Sequence, residues 1–147
     1  MPVYAAAHSR VLEAPMHLEQ QHGDGSSVAT RFDRVPNSVP SARRWVREIF
    51  CQAGADGDLI DVVLLLVSEV VTNAVVHGAG DELTVAVHPD LSVAVWDASS
   101  EMPQRRVADP AEVRGRGLEL LDALAPGYRV YSDPLGGKVV HFAPKGW

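Results

Sequence analysis

The longest hydrophobic pattern in the chain lies between Gly57 and Gly80 and predicts a central core helix covered by a sheet. Its polar exceptions form a stripe. Glu69 and Asn73 are four residues apart, so they project about 40° apart on the same side of the helix, and His77 continues that line one turn later. A carboxylate, an amide and an imidazole on a buried helix need partners, water or a ligand. The apolar positions are Val62, Val63, Leu65, Leu66, Val67, Val70, Val71, Ala74 and Val75.

In other parts of the chain, apolar residues recur with a period of two, which predicts strands, or with a period of three to four, which predicts helices. Ser41 is the expected N-cap of a helix that continues through Phe50. Paired antiparallel strands with helices between them indicate an α+β fold, a two-layer α/β sandwich with a mixed, mostly antiparallel sheet and helices on one face. The expected strands are 27–35, 82–87, 91–96, 128–131 and 138–142, and the expected helices are 41–50, 58–77 and 115–125.

Composition narrows the class of protein. The 147 residues fit one domain over 27–147, preceded by a flexible tail over 1–26 that contains proline and glycine without sustained periodicity. A formal net charge of −6 argues against direct nucleic acid binding. No signal peptide is apparent, and polar residues interrupt the apolar helix, so we expect a cytoplasmic protein without a membrane span. Cys51, the single cysteine, lies in an apolar helical context that predicts a buried thiol.

Two further features could carry chemistry. Gly115 and Gly117 precede a helix, so backbone N–H groups there could approach phosphate oxygens, although a tight loop-to-helix junction would also need small residues. Asp97 follows a strand and could form a turn or accept a hydrogen bond from the exocyclic amine of a base. The stretch 98–114 between them has no clear periodicity, and a connection of that length is usually functional or mobile.

The order of these features along the chain resembles that of the GHKL ATPase superfamily of gyrase, sensor histidine kinases and mismatch-repair ATPases. The features are the polar stripe, the aspartate at the strand end, the long loop and the helix that begins with Gly-x-Gly. The chain more closely resembles its small branch of anti-sigma-factor serine/threonine kinases, from about Val28 to Phe142. The matching segments are SEVVTNAVVHG, VAVWDASS, GRGLELLDALA and GGKVVHF.

The resemblance implies a GHKL-type fold that binds ATP and Mg²⁺. Asn73 would help to hold Mg²⁺ on the triphosphate, and Glu69 would be the general base for the attacking hydroxyl. Asp97 would bind the adenine amino group, while Gly115 and Gly117 would cradle phosphates. The partners implied are an anti-sigma-factor antagonist and a sigma factor, and the working unit is a homodimer.

Other residues are also assigned to the nucleotide site, and His77 and the lid arginines each have an alternative. His77 could face the same pocket, or it could simply complement the dipole at the helix C-terminus. Lys138 stands where many members of the family carry a threonine that assists adenine binding. The loop 98–114 would form a short lid, and its arginines either meet phosphates or are solvated; they are Arg105, Arg106, Arg114 and Arg116.

One departure from the family pattern opens a rival hypothesis. The family's first glycine box usually reads Asp-x-Gly-x-Gly, whereas here Asp97 is followed by alanine, two serines and Glu101. Loss of both glycines is expected to weaken a close backbone approach to adenine. The leading hypothesis is a kinase for an anti-sigma-factor antagonist. The rivals are a binding module that sequesters a regulator with little catalysis, and an interaction domain independent of nucleotide.

Overall fold

The computed structural model describes residues 27–101 and 117–144, which form five strands and three helices. The N-terminal tail predicted for 1–26 lies outside the described residues. In chain order the elements are β1 (Val28–Asp33), α1 (Ser38–Gln52), α2 (Gly57–His77), β2 (Glu82–Val87), β3 (Val93–Asp97), α3 (Gly117–Leu124), β4 (Arg129–Ser132) and β5 (Lys138–Phe142).

The strands form one sheet in the order β1-β2-β3-β5-β4, so β5 is inserted between β3 and β4. Every strand pair within the described residues is antiparallel, whereas the sequence predicted a mixed, mostly antiparallel sheet. The insertion has one direct consequence. In the register of β3 and β5, Asp97 at the end of β3 faces Lys138 at the start of β5.

The helices cover one face of this sheet, which confirms the predicted α+β sandwich. Helix α2 is the centre of the core, and it contacts α1, α3 and β3. On length and composition alone α2 could cross a membrane, but its burial against the sheet and the two other helices accounts for the same apolar sequence. Its fully or nearly fully buried side chains include Val63, Leu64, Leu66, Val67 and Val71.

Two predictions about α1 were wrong. The helix begins at Ser38, three residues before the predicted cap Ser41, and the Ser41 hydroxyl instead donates to the carbonyl oxygen of Asn37 at 3.2 Å. Pro40 is tolerated because it lies in the first helical turn, where a backbone N–H has no intrahelical acceptor. Cys51 is exposed rather than buried, because it lies on the outward side of the last turn.

Candidate functional site

The polar stripe predicted on the core helix is present on α2. Glu69 and Asn73 are half-buried, and His77, the last residue of the helix, is exposed. No side chain or backbone group among the described residues forms a hydrogen bond or ion pair with the Glu69 or Asn73 side chain. Two polar groups on a core helix are therefore directed at space that protein atoms of the described part leave to water or a ligand.

Burial also changes the chemistry of Glu69. Partial removal from water raises the pKa of its carboxyl above the ordinary value of 4.5, because the charged form loses hydration. A carboxylate with a raised pKa is a better proton acceptor once it is ionised. The half-buried position of Glu69 therefore favours a role as a proton acceptor.

Asp97 ends β3 and is 3% exposed. Its Oδ1 accepts a hydrogen bond from the Ser99 backbone N–H at 2.8 Å, and the Ser99 hydroxyl oxygen accepts one from the Glu101 N–H at 3.1 Å. These two side chains stabilise consecutive turns in a loop without glycine. The loop that departs from the family's glycine box is therefore ordered by Asp97 and Ser99 as far as Glu101.

The end of β3 packs directly against the end of α2. A Cβ at Gly78 would overlap the carbonyl oxygen of Ala74 and would come within 3.1 Å of the Asp97 carboxyl carbon. The backbone N–H of Ala98 donates to the carbonyl oxygen of Ala79 at 3.3 Å. Gly78 is required here by close approach, since its φ of −72° is accessible to any residue. The contact puts the Asp97 carboxylate beside the helix end that follows Asn73.

Arg34 holds this junction from the other side and was not predicted from the sequence. Its guanidinium donates from Nε to the Gly80 carbonyl oxygen and from Nη1 to the Val75 carbonyl oxygen, both at 2.6 Å. The last carbonyl groups of a helix have no intrahelical donor, and they carry the negative end of the helix dipole. A guanidinium after β1 therefore stabilises the end of α2. The sequence prediction placed Arg34 inside the strand 27–35, whereas β1 ends at Asp33, so no local signal indicated this role.

Lys138 lies against Asp97, as the strand register requires. Its Nζ is 3.2 Å from Oδ2 and 3.4 Å from Oδ1 of Asp97, and the two side chains are 10% and 4% exposed, respectively. The sequence assigned both residues to nucleotide binding without predicting that they pair. The pair places a cation directly on the carboxylate proposed to receive a base.

The phosphate end of the predicted site is only partly described. Gly117 is the first residue of α3, and this helix packs against α2 with Leu121 in the core, where Ala125, directly after the helix, also lies. The structure thus brings the start of α3 to the same layer as the polar stripe. Arg114, Gly115 and Arg116, together with residues 102–113 of the predicted lid, lie outside the described residues.

The described residues provide three chemical capabilities, two on α2 and one where β3 ends and β5 begins. Asn73 offers a hard oxygen ligand, Glu69 offers a basic carboxylate, and the Asp97–Lys138 pair offers a hydrogen-bond acceptor beside a donor. Such a set suits a nucleotide with a bound cation better than an apolar ligand.

Comparison with known proteins agrees with this geometry. Residues 32–142 match the family model described as Histidine kinase-like ATPase domain. Among solved structures, the chain is similar to the crystal structure of the RsbU and RsbW domains of Rv1364c from Mycobacterium tuberculosis, with a TM-score of 0.53 and 25% sequence identity. The similarity covers 78% of this chain and 31% of that chain. No curated protein sequence matches the chain.

Proposed function

The chain belongs to the histidine kinase-like ATPase domain family, and from this premise we propose that it is an ATP-binding regulatory serine/threonine protein kinase of the anti-sigma-factor type. Its substrate is a serine or threonine of an anti-sigma-factor antagonist, and it sequesters a sigma factor. It works as a homodimer in the cytoplasm, with neither nucleic acid nor a membrane as a direct partner. The similarity to a structure that contains an RsbW domain supports this branch of the family.

The observation that carries the proposal is the polar stripe on α2. Glu69 and Asn73 are half-buried on the core helix, and neither has a protein partner among the described residues. By the resemblance of the segment SEVVTNAVVHG to the family, Asn73 would be the metal ligand and Glu69 the general base. Because neither side chain takes part in a hydrogen bond within the described fold, both are available to a bound ligand.

The residues present fit a bound Mg²⁺. Asn73 offers an amide oxygen, which is the kind of hard ligand that Mg²⁺ takes alongside phosphate oxygens and water. Mg²⁺, when bound, neutralises charge on the phosphates during transfer. The amide is neutral, so it adds no further negative charge beside the triphosphate.

Glu69 is the residue that moves the proton. Its carboxylate accepts the proton of the acceptor hydroxyl as that oxygen forms a bond to the γ-phosphorus, and the bond from the γ-phosphorus to the β–γ bridging oxygen breaks to release ADP. The raised pKa of Glu69, caused by burial, increases its basicity for this step. Asp97 binds the base, and the phosphates bind at Gly115 and at the N-terminus of α3, whose first residue is Gly117.

One observation favours the second function, a sequestering module with little catalysis. Lys138 already occupies the Asp97 carboxylate, so the exocyclic amine of adenine must share that acceptor with a cation. The loop from Ala98 to Glu101 also lacks the glycines of the family pattern. Both features would lower affinity for ATP without altering the fold that contacts a protein partner.

Label transfer from ATP tests the two functions. The purified chain is incubated with Mg²⁺, ATP carrying a labelled γ-phosphate and a candidate antagonist protein from the same organism. We expect transfer by the wild type, a loss of about a hundredfold or more in Glu69→Gln, and ATP affinity within about threefold of wild type in that variant. The matched control is Asp61→Asn, which changes an exposed carboxylate on the same helix.

Three outcomes separate the hypotheses. Transfer that survives in Glu69→Gln would remove the general-base role from this residue. ATP binding by the wild type without transfer to any candidate antagonist would favour the sequestering module. Absence of ATP binding at millimolar concentration would contradict nucleotide-dependent function of either kind.

A further inference from the structure

The Asp97–Lys138 ion pair is nearly enclosed by protein. Both residues are buried, and they face each other across β3 and β5. An ion pair in such a place recovers little free energy beyond the cost of removing two charges from water, and an apolar pair of similar volume is often as stable. Stability alone therefore does not explain a lysine at position 138.

The hydrogen-bonding capacity of the pair is not exhausted. A lysine ammonium carries three N–H donors, and within residues 27–101 and 117–144 its acceptors are the carboxylate oxygens of Asp97 alone. The carboxylate in turn has about four acceptor positions, and the Ser99 N–H and the ammonium use only some of them. The pair can consequently offer a donor and an acceptor side by side.

We propose that Lys138 makes the base site accept 6-oxopurine nucleotides as well as 6-aminopurine nucleotides. This inference rests on the proposed function, because it assumes that a purine binds at Asp97. A 6-aminopurine presents an exocyclic N–H donor next to the N1 acceptor, and a 6-oxopurine presents the O6 acceptor next to an N1–H donor. Each edge can be matched by the pair, with the roles of Asp97 and Lys138 exchanged between ring positions.

A carboxylate without the lysine would discriminate between the two edges. It accepts the exocyclic amine of a 6-aminopurine, but with a 6-oxopurine it can accept only the N1–H and leaves O6 without a donor. A site that leaves buried polar groups unmatched rejects the wrong ligand strongly. Lys138 supplies the missing donor, and the threonine found in many relatives has only a neutral hydroxyl in its place.

Direct binding of ATP and inosine triphosphate tests the inference. Inosine triphosphate differs from ATP at ring position 6 and at N1, so the ratio of the two dissociation constants reports on this edge. Measured by calorimetry with Mg²⁺, the ratio for the wild type should lie within about tenfold of unity. In Lys138→Thr the preference for ATP should increase by about tenfold or more, as expected for loss of a charged hydrogen bond.

Arg31→Thr is the matched control, since it removes a cation near Ala29 on the opposite face of the same sheet and should leave the ratio unchanged.

The wild-type measurement needs no variant, so the inference remains testable if Lys138→Thr does not fold. ATP binding by the wild type without measurable inosine triphosphate binding overturns the inference and leaves the proposed function intact. An equal ratio in wild type and folded Lys138→Thr also overturns it. If the wild type binds neither nucleotide, both the proposed function and this inference are contradicted.

Discussion

Gly137 passes so close to Asp97 that a Cβ at position 137 would overlap the Asp97 carbonyl oxygen. Gly137 also has a φ of +89°, a region that side-chain-bearing residues rarely adopt. The turn between β4 and β5 is therefore fitted to the end of β3, and Trp96 strengthens the contact by donating from Nε1 to the Gly136 carbonyl oxygen at 2.9 Å. This turn sets the position of Lys138 relative to Asp97.

Alanine substitution at these two glycines should separate backbone strain from steric overlap. Gly136 has a φ of +108°, and a Cβ at this position would have no neighbouring atom within 4 Å, so Gly136→Ala should cost only the strain, about 1–2 kcal/mol. Gly137→Ala adds overlap with backbone atoms and should cost about 1–3 kcal/mol more. Urea unfolding of both variants measures the difference. Equal midpoints for the two would show that the turn moves away from Asp97 at little cost.

Asn73→Ala should weaken nucleotide binding only when Mg²⁺ is present. With Mg²⁺, we expect ATP affinity to fall by about tenfold, because one oxygen ligand is lost from the metal. With a chelator in place of Mg²⁺, wild type and variant should bind ATP equally. Thr72→Ala is the control, because Thr72 is also half-buried but projects about 100° away on the same helix. An equal loss with and without Mg²⁺ would assign Asn73 to packing or to the nucleotide itself.

Local patterns predicted most of the fold. The strand residues of β2 and β3 and the apolar run of α2 each reflect burial of one element against its neighbours, so they are visible in a short window. The predicted start of α1 was wrong because serine is a common N-cap residue, which favoured Ser41. Pro40 is compatible with the first helical turn, so the helix begins before it. Helix ends depend on such local competition more than helix centres do.

The candidate site likewise contains some residues that a local pattern predicts and others that it does not. Glu69 and Asn73 stand out in the sequence because they interrupt an apolar helix. The Asp97–Lys138 pair joins residues 41 positions apart, and it depends on β5 lying next to β3 rather than on any local pattern. The contacts of Arg34 with Val75 and Gly80 likewise arise only when β1 is placed beside the end of α2. Long-range pairs of polar groups depend on the order of the strands and helices in space, and local sequence patterns do not reveal that order.

Arg34→Met should destabilise the fold by about 1–3 kcal/mol, since two carbonyl groups at the end of α2 lose a charged donor. Arg34→Lys should recover only part of this loss, because one ammonium does not reproduce the two-pronged geometry of a guanidinium. Urea unfolding gives both values. Arg31→Met, three residues earlier in the same chain segment, is the control for loss of a cation. Unfolding of Arg34→Met at the same urea concentration as Arg31→Met would contradict a structural role for the guanidinium.

The pH dependence of stability should reveal the desolvation of Glu69. The pKa of its carboxyl is raised above 4.5 in the folded chain, so between 4.5 and the folded value the folded state holds more protons than the unfolded state. By linkage, stability then falls as pH rises through this window. Below 4.5 the group is protonated in both states and imposes no such loss.

Glu69→Gln removes this effect, because glutamine does not titrate. The free energy of unfolding of the variant minus that of the wild type should be constant at low pH, should increase as pH rises from 4.5, and should level off once Glu69 is ionised in both states. Chemical unfolding from about pH 4 to about pH 8 follows the difference, a range chosen to bracket the usual titration of a perturbed glutamate. Asp61→Asn serves as the control for loss of a carboxylate that is exposed on the same helix. A difference for Glu69→Gln that does not vary with pH would mean that the folded chain leaves this carboxylate fully hydrated, and the basicity assigned to it in phosphoryl transfer would then have no structural cause.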